Sequence, residues 1–310
     1  MATYHEQFSV SVLGMGSMGS AIARVFLKHG WRTTIWNRTT SKTVPLVELG
    51  ASAASSAAEC IAASKLIILL LTDTEAFQHV AKGLEPSSCR GRVLLDYMTA
   101  TASQVSETQR TAREILGFDA YVHGAIMTMP PFVEDPTAMI FYSGDNKAYT
   151  EEDQTDGAAG MASAVKLIGK AIWIDDDPAS SALQDVMVLT HWYTFASGFL
   201  QTAALLKKTK QFKPHSKSMQ RFWADFVRPF YDALFMQFED VARQIDEEDY
   251  VSRGDGALIN LHLHAIESLI KAYEDKNISV ALLTPMRDLF AKAVTNGHGD
   301  EEIGGILPLL

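Results

Sequence analysis

Val12-Leu13-Gly14-Met15-Gly16-Ser17-Met18-Gly19 leaves an apolar run and enters an amphipathic stretch, and this GxGxxG decides how the N-terminal half folds. Gly14 permits a tight turn, Gly16 lets backbone N–H groups approach a pyrophosphate, and Gly19 allows the following helix to pack closely on the strand. A bare GxGxxG is a weak signal. Here it follows an apolar strand and precedes a second strand ending about twenty residues on, the context a dinucleotide-binding turn requires. Gly14, Met15, Gly16, Ser17, Met18 and Gly19 are therefore expected to hold the cofactor, with Leu71, Thr72 and Thr99 as further contacts after later strands.

The end of the second strand reads Ile35-Trp36-Asn37-Arg38-Thr39-Thr40. Binders of NAD usually place an Asp or Glu there for the ribose 2′-hydroxyl. No carboxylate is present to repel a 2′-phosphate, and Asn37, Arg38, Thr39 and Lys42 supply donors and positive charge to hold one. The expected cofactor is NADP(H).

Outward from this turn, short apolar runs alternate with helix-like stretches as far as residue 175, the pattern of βαβ units and a parallel sheet. Strands are expected at Phe8–Leu13, Thr33–Trp36, Leu66–Leu71, Val93–Tyr97, Ala120–His123, Ala138–Ser143 and Ala171–Ile174. After Asp175-Asp176-Asp177-Pro178 the pattern turns helical, through a long apolar stretch to Leu206, then Met219–Ile245, Ala257–Ala272 and Leu283–Thr295. The fold class is thus α/β: a Rossmann dinucleotide-binding domain over 1–178, then an all-α domain over 179–310, joined by a long interdomain helix with Pro178 near its first turn.

The 310 residues hold 27 Lys and Arg against 37 Asp and Glu, a formal net charge of −10. An acidic surface repels phosphate backbones and anionic lipid, so neither nucleic acid nor a membrane is an expected partner. The Lys207–Lys217 cluster and Asp246-Glu247-Glu248-Asp249 read as solvated connections between helices. Cys60 and Cys89 form no metal-ligand spacing; no metal is expected, and a reducing, cytoplasmic compartment fits them. The opening Met-Ala-Thr-Tyr-His-Glu-Gln lacks the basic-then-apolar layout of a signal peptide. Val186 to Leu206 carries His191, Gln201, three threonines and a serine, so it reads as a buried central helix rather than a membrane span.

Four stretches together resemble a known family: the glycine turn with Trp36-Asn37-Arg38-Thr39, Val122-His123-Gly124-Ala125-Ile126-Met127, Phe141-Tyr142-Ser143-Gly144, and Leu183-Gln184-Asp185. They are similar to the imine reductases, especially the fungal-type reductive aminases, within the β-hydroxyacid dehydrogenase superfamily. The similarity continues through Gln244-Ile245-Asp246 and Asp249-Tyr250 to Gly297-His298-Gly299. It implies NADPH-dependent reduction of imines, preformed or made from a ketone or aldehyde plus an amine. It also implies a domain-swapped homodimer.

The resemblance makes Asp185 the position that separates subfamilies, because β-hydroxyacid dehydrogenases present a catalytic lysine there. A carboxylate favours an iminium cation and can take a proton from an amine, whereas an ammonium can do neither. Tyr193 lies eight residues on, about 12 Å further along a helix axis and about 80° round it. By resemblance Asp185 and Tyr193 are the catalytic pair. Thr99, Met127, Phe230, Ile259 and Asn260 are the substrate positions, the last three facing the partner chain's cofactor. Thr99 stands where an asparagine is frequent, Phe230 where a tryptophan is common, and Ile259-Asn260 where a Met-Gln pair occurs. Against the family, Ala179 replaces a usual glycine, and 150–156 reads as an insertion by length. His191 reads as an ordinary satisfied or exposed histidine, about 120° from Asp185 in helical phase. Two alternatives stay open: a carbonyl reductase of the β-hydroxyacid dehydrogenase type, which the missing lysine disfavours, and a non-catalytic NADPH-binding sensor.

Overall fold

In the computed structural model, which describes residues 8–150, 160–252 and 256–310, the apolar runs of the first half form one eight-stranded sheet. The strands are β1 (Ser9–Leu13), β2 (Arg32–Trp36), β3 (Ser52–Ala53), β4 (Leu66–Leu69), β5 (Val93–Asp96), β6 (Ala120–Met127), β7 (Met139–Gly144) and β8 (Lys170–Trp173). Between them run α1 (Ser17–Lys28), α2 (Val44–Val47), α3 (Ala57–Ala62), α4 (Thr74–Ala81), α5 (Pro86–Cys89), α6 (Ala102–Arg110), α7 (Asn146–Thr150) and α8 (Met161–Ile168). The order β3-β2-β1-β4-β5-β6-β7-β8 reverses direction between β1 and β4. A ligand crevice opens at such a switch point, outside the carboxyl ends of the strands.

Both sheet faces are covered. Val10, Val12, Ile22, Phe26, Trp31, Val122 and Ile140 belong to one buried cluster, and Leu13, Ile67, Leu69, Phe77, Leu94, Val105 and Tyr121 to the other. That is why the central strands read as continuous apolar runs rather than alternations.

One expectation fails. β7 runs antiparallel to β6, whereas the other strand pairs are parallel. Residues 128–138 between them hold only a 3₁₀ turn at Pro130–Phe132, and a parallel return needs a crossover of a dozen or more residues, usually with a helix. The two-residue strand β3 escaped the sequence reading because Ser52 and Ala53 are both exposed and carry no apolar signal.

The chain divides into two compact units, Met1–Thr190 and His191–Leu310, and the division falls within the long helix α9 (Ser180–Leu206). The second unit continues with α10 (Ser218–Phe222), α11 (Arg228–Glu247), α12 (Ile259–Glu274) and α13 (Thr284–Thr295). Its core gathers Ile259, Ile266, Phe290, Ala293 and Ile306. The helix expected over 219–245 is interrupted by a π turn at Trp223–Val227, just before Pro229. Proline lacks the N–H for the i−4 bond, and the widened turn accommodates that loss.

α9 is less buried than its composition suggests. Leu183, Val186, Met187, Trp192, Tyr193 and Leu200 are all exposed in the single chain, which corrects the expectation of a buried central helix. Residues 1–7, and 151–156 of the expected insertion, lie outside the described residues.

Candidate active site

The glycine turn has the geometry its sequence requires. Gly14 has φ +105°, and a Cβ there would collide with the Leu70 carbonyl of the neighbouring strand end. A Cβ on Gly19 would strike the Gly14 carbonyl, so the first turn of α1 lies directly on the loop. Gly16 differs: its φ is −75°, and a Cβ would meet nothing within 4 Å. Its missing side chain leaves open space above the turn. No side chain caps α1 at Gly16, so the first-turn N–H groups are available to an anion at the positive end of the helix. These features fit a dinucleotide pyrophosphate. Met15 and Met18 help to anchor the turn, Met15 fully buried and Met18 packed against the same cluster.

Asn37 follows β2 directly. Its Oδ1 accepts the Met15 N–H at 2.9 Å, and its Nδ2 donates to the Thr39 carbonyl at 3.0 Å. Arg38, Thr39 and Lys42 stand exposed around it, with a 3₁₀ turn over Thr40–Lys42. The set is cationic and carries no carboxylate from Trp36 to Lys42, which fits a ribose 2′-phosphate. Leu71, half-buried, and Thr72, exposed, follow β4; Thr99, exposed, follows β5; Met127, half-buried, ends β6. All belong to the first unit.

Asp185 sits half-buried in α9, and burial pushes its carboxyl above the usual carboxylate range while the nearby His123 opposes that shift. It is the only Asp, Glu, Lys or Arg of the whole helix. Below the start of α9 lies a buried polar group that the sequence did not announce. Asp96 accepts the Met98 N–H at 2.8 Å and the Tyr121 O–H at 2.7 Å. His123 meets the Met98 carbonyl at 3.1 Å and Ser181 Oγ at 2.7 Å. The signal was present only as polar residues inside apolar runs, at Asp96, His123 and Ser143.

In the second unit, Tyr193 is 65% exposed and Phe230 60% exposed. Phe230 meets Tyr231 edge-on with centroids 5.9 Å apart, and Tyr231 in turn stacks edge-on against Phe195 of α9. Phe195 and Phe199 also meet Trp223, which fixes this half of α9 to the π turn. Ile259, expected against substrate, is instead fully buried in the core of its unit, because it opens α12 on the helix's apolar side. Asn260 beside it is exposed, and its N–H donates to the Gly299 carbonyl at 3.0 Å. His191 is exposed; His298 Nδ1 lies 3.0 Å from Glu301. Among the described residues no group of three or more His, Cys, Asp or Glu is arranged to hold a metal, and no helix is long and apolar enough to cross a membrane.

Residues 9–154 match the family described as the NAD binding domain of 6-phosphogluconate dehydrogenase, and residues 177–310 match the NADPH-dependent reductive aminase-like C-terminal domain. The chain is 28% identical over 299 residues to an NADPH-dependent reductive aminase of Aspergillus oryzae, covering 96% of this chain and 95% of that protein. A reductive aminase from Aspergillus terreus, solved with NADPH4, cyclohexanone and allyl amine, aligns with TM-score 0.85 at 29% identity, over 97% of this chain and 99% of that one. An imine reductase from Pseudomonas sp. aligns with TM-score 0.87 at 27% identity, over 98% and 99%. Matched over residues 9–154 and 177–310 by these two family models and over nearly its whole length by these relatives, the chain belongs to the reductive aminase and imine reductase family.

Proposed function

We propose that this protein is an NADPH-dependent oxidoreductase that reduces C=N bonds, either preformed or made from a ketone or aldehyde and an amine. Asp185 carries the reading: a half-buried carboxylate is the sole Asp, Glu, Lys or Arg of the helix on which carbonyl-reducing relatives of the superfamily present a lysine. Cyclohexanone and allyl amine in the Aspergillus terreus complex support a ketone and a small amine as the substrate class.

NADPH supplies the hydride when bound. The chain's own residues do the rest. The turn Gly14 to Gly19 and the α1 terminus bind the pyrophosphate, while Asn37, Arg38, Thr39 and Lys42 bind the 2′-phosphate. Leu71, Thr72 and Thr99 flank the cofactor from the strand ends. Asp185 takes a proton from the incoming ammonium, which frees the amine to attack; it then returns that proton to the carbinolamine hydroxyl, which leaves as water, and the regenerated carboxylate favours the iminium cation. Tyr193, eight residues along the same helix, hydrogen-bonds the carbonyl or imine. Thr99, Met127, Phe230 and Asn260 shape the substrate space, and Ile259 supports Asn260 from the core.

The working form is a homodimer. Phe230, Phe235, Met236 and Phe238 of α11 are between 57% and 74% exposed, and at helical spacing they point to several sides of the helix. A helix apolar on several sides needs cover all round it. A second chain that exchanges its helical unit supplies that cover and brings its own Phe230 and Asn260 to the first chain's cofactor. The free, buried thiols Cys60 and Cys89 support a cytoplasmic setting.

The test is NADPH oxidation, followed by absorbance, with a cyclic imine, with cyclohexanone plus allyl amine, and with cyclohexanone alone. Turnover in the first two arms is expected. Turnover with cyclohexanone alone at the rate of the amine arm would make the protein a carbonyl reductase, and tight NADPH binding without turnover in any arm would make it a sensor.

A further inference from the structure

Asp96, His123 and Ser143 form one cross-strand row. Asp96 is the partner of His123 between β5 and β6, and His123 is the partner of Ser143 between β6 and β7. Directly opposed residues project from the same sheet face. All three are almost wholly buried, and Ser181, also fully buried, caps the row from the first turn of α9. Ser181 lies four residues, one helical turn, before Asp185.

The hydrogen bonds of this row accept two charge states. The Met98 carbonyl can only accept, so Nε2 of His123 carries a hydrogen. Nδ1 faces Ser181 Oγ, and a hydroxyl can serve it either way. With a neutral ring, Ser181 donates to Nδ1. With a charged ring, Nδ1–H donates to Ser181, whose own hydrogen turns to the His123 carbonyl at 3.3 Å. Ser143 accepts the Ser181 N–H at 2.9 Å and, in both cases, has two acceptors in reach of its own hydrogen, Ser181 Oγ at 2.8 Å and the Pro178 carbonyl at 3.1 Å. Neither state orphans a buried donor or acceptor, so burial does not lock this imidazole into one of them.

The charged groups that feel the ring are Asp96 of β5 and Asp185 of α9, and the Tyr121 O–H of β6 reaches Asp96. Asp145, just after β7, takes the Tyr121 N–H at 2.7 Å and lies 3.7 Å from Arg113. A positive ring lowers the cost of negative charge on both Asp96 and Asp185.

We propose that His123 is a positioning residue for Asp185: through Ser181 it fixes the first turn of α9 relative to the Met98–Thr99 segment, and its ring, in the charged state, favours the ionised form of Asp185. The proposal rests on Asp185 as the proton-handling group. If Asp185 must be ionised to act, activity falls as pH drops through its titration, and a positive neighbour extends activity to lower pH.

The experiment compares pH profiles of kcat and kcat/KM for cyclohexanone plus allyl amine, at saturating NADPH, in the wild type, H123N, S181A and D185N. Asparagine keeps a donor near the Met98 carbonyl and removes the ionisable ring. In H123N the acid limb is expected to move to higher pH, with about tenfold loss on the acid side and less than about threefold on the plateau. S181A removes the acceptor for Nδ1–H and is expected to move the limb the same way by less. An unmoved limb in H123N, or an equal loss at every pH, overturns the proposal and leaves His123 a structural pin. Should H123N not fold, S181A decides, because it keeps the ring: an unmoved limb there also overturns the proposal. D185N separates the two readings. Inactivity with retained NADPH affinity upholds Asp185 whatever His123 does, whereas wild-type turnover in D185N removes the assignment on which the proposal stands.

Discussion

The Oδ1 of Asn37 accepts the Met15 N–H at 2.9 Å, so the end of β2 and the glycine turn are held as one frame. The proposed pyrophosphate and 2′-phosphate positions are therefore spaced by a hydrogen bond rather than by loop length alone. Arg38 is exposed on that frame and is the proposed discriminating charge. R38A is expected to weaken NADPH about 10- to 100-fold and leave NADH nearly unchanged, the scale of one charge-assisted phosphate contact. Fluorescence titration with both nucleotides measures it. Equal losses for NADPH and NADH would move the 2′-phosphate site elsewhere.

Gly14 and Gly16 separate folding from binding. G14A puts a side chain at φ +105° against the Leu70 carbonyl and is expected to destabilise by on the order of 3 kcal/mol. G16A meets open space and keeps the denaturation midpoint, but it fills the approach to the pyrophosphate and weakens NADPH at least about tenfold. Paired denaturant melts and NADPH titrations check both. A stable G14A protein, or a G16A protein that binds normally, contradicts this division.

Asp185 is held above the usual carboxylate range by burial. The sign follows: a base with a raised pKa is lost on the acid side at higher pH than an exposed aspartate. The amine-dependent rate is thus expected to fall on acidification well before ordinary carboxylates protonate. In D185N that rate drops at least about 100-fold, and its acid limb disappears with the carboxylate. A limb that survives in D185N belongs to another group.

Much of this was legible in the sequence, and the reason is locality. The glycine turn, the cationic segment after β2 and the helical character beyond Pro178 are set by neighbours in the chain. What escaped was set by partners far away. β7 reverses because its connection lacks a crossover helix, though its own residues read like any other buried strand. Asp96, His123 and Ser143 lie in three separate apolar runs, and only strand register makes them a row. Ile259 shows the opposite failure: matching a substrate position by resemblance does not say that its side chain packs into the helical core.

The exposed apolar sides of α11 bear on assembly. For the proposed dimer, the wild-type thermal midpoint is expected to rise with concentration, and F235E together with M236E is expected to give a monomer in sedimentation with a lower midpoint. A wild-type chain that sediments as a monomer at all concentrations overturns the proposed dimer.

Cysteine chemistry supplies a control on folding. Burial pushes the Cys60 thiol up to about 12 and also raises Cys89. Both should resist a disulfide reagent in the native protein at neutral pH and react once denaturant opens the first unit. Rapid native labelling of Cys60 would mean that the sheet opens locally.

The reversed strand also limits how this scaffold can be re-engineered. Side chains alternate between sheet faces, so slipping β7 by one residue would replace Ser143 opposite His123 with Tyr142 or Gly144 and turn the hydroxyl to the far side. Loop libraries at 128–138 can therefore vary in sequence and length only where the strand pairing stays put. Designers seeking new substrates from that loop inherit a hidden constraint one strand away from it.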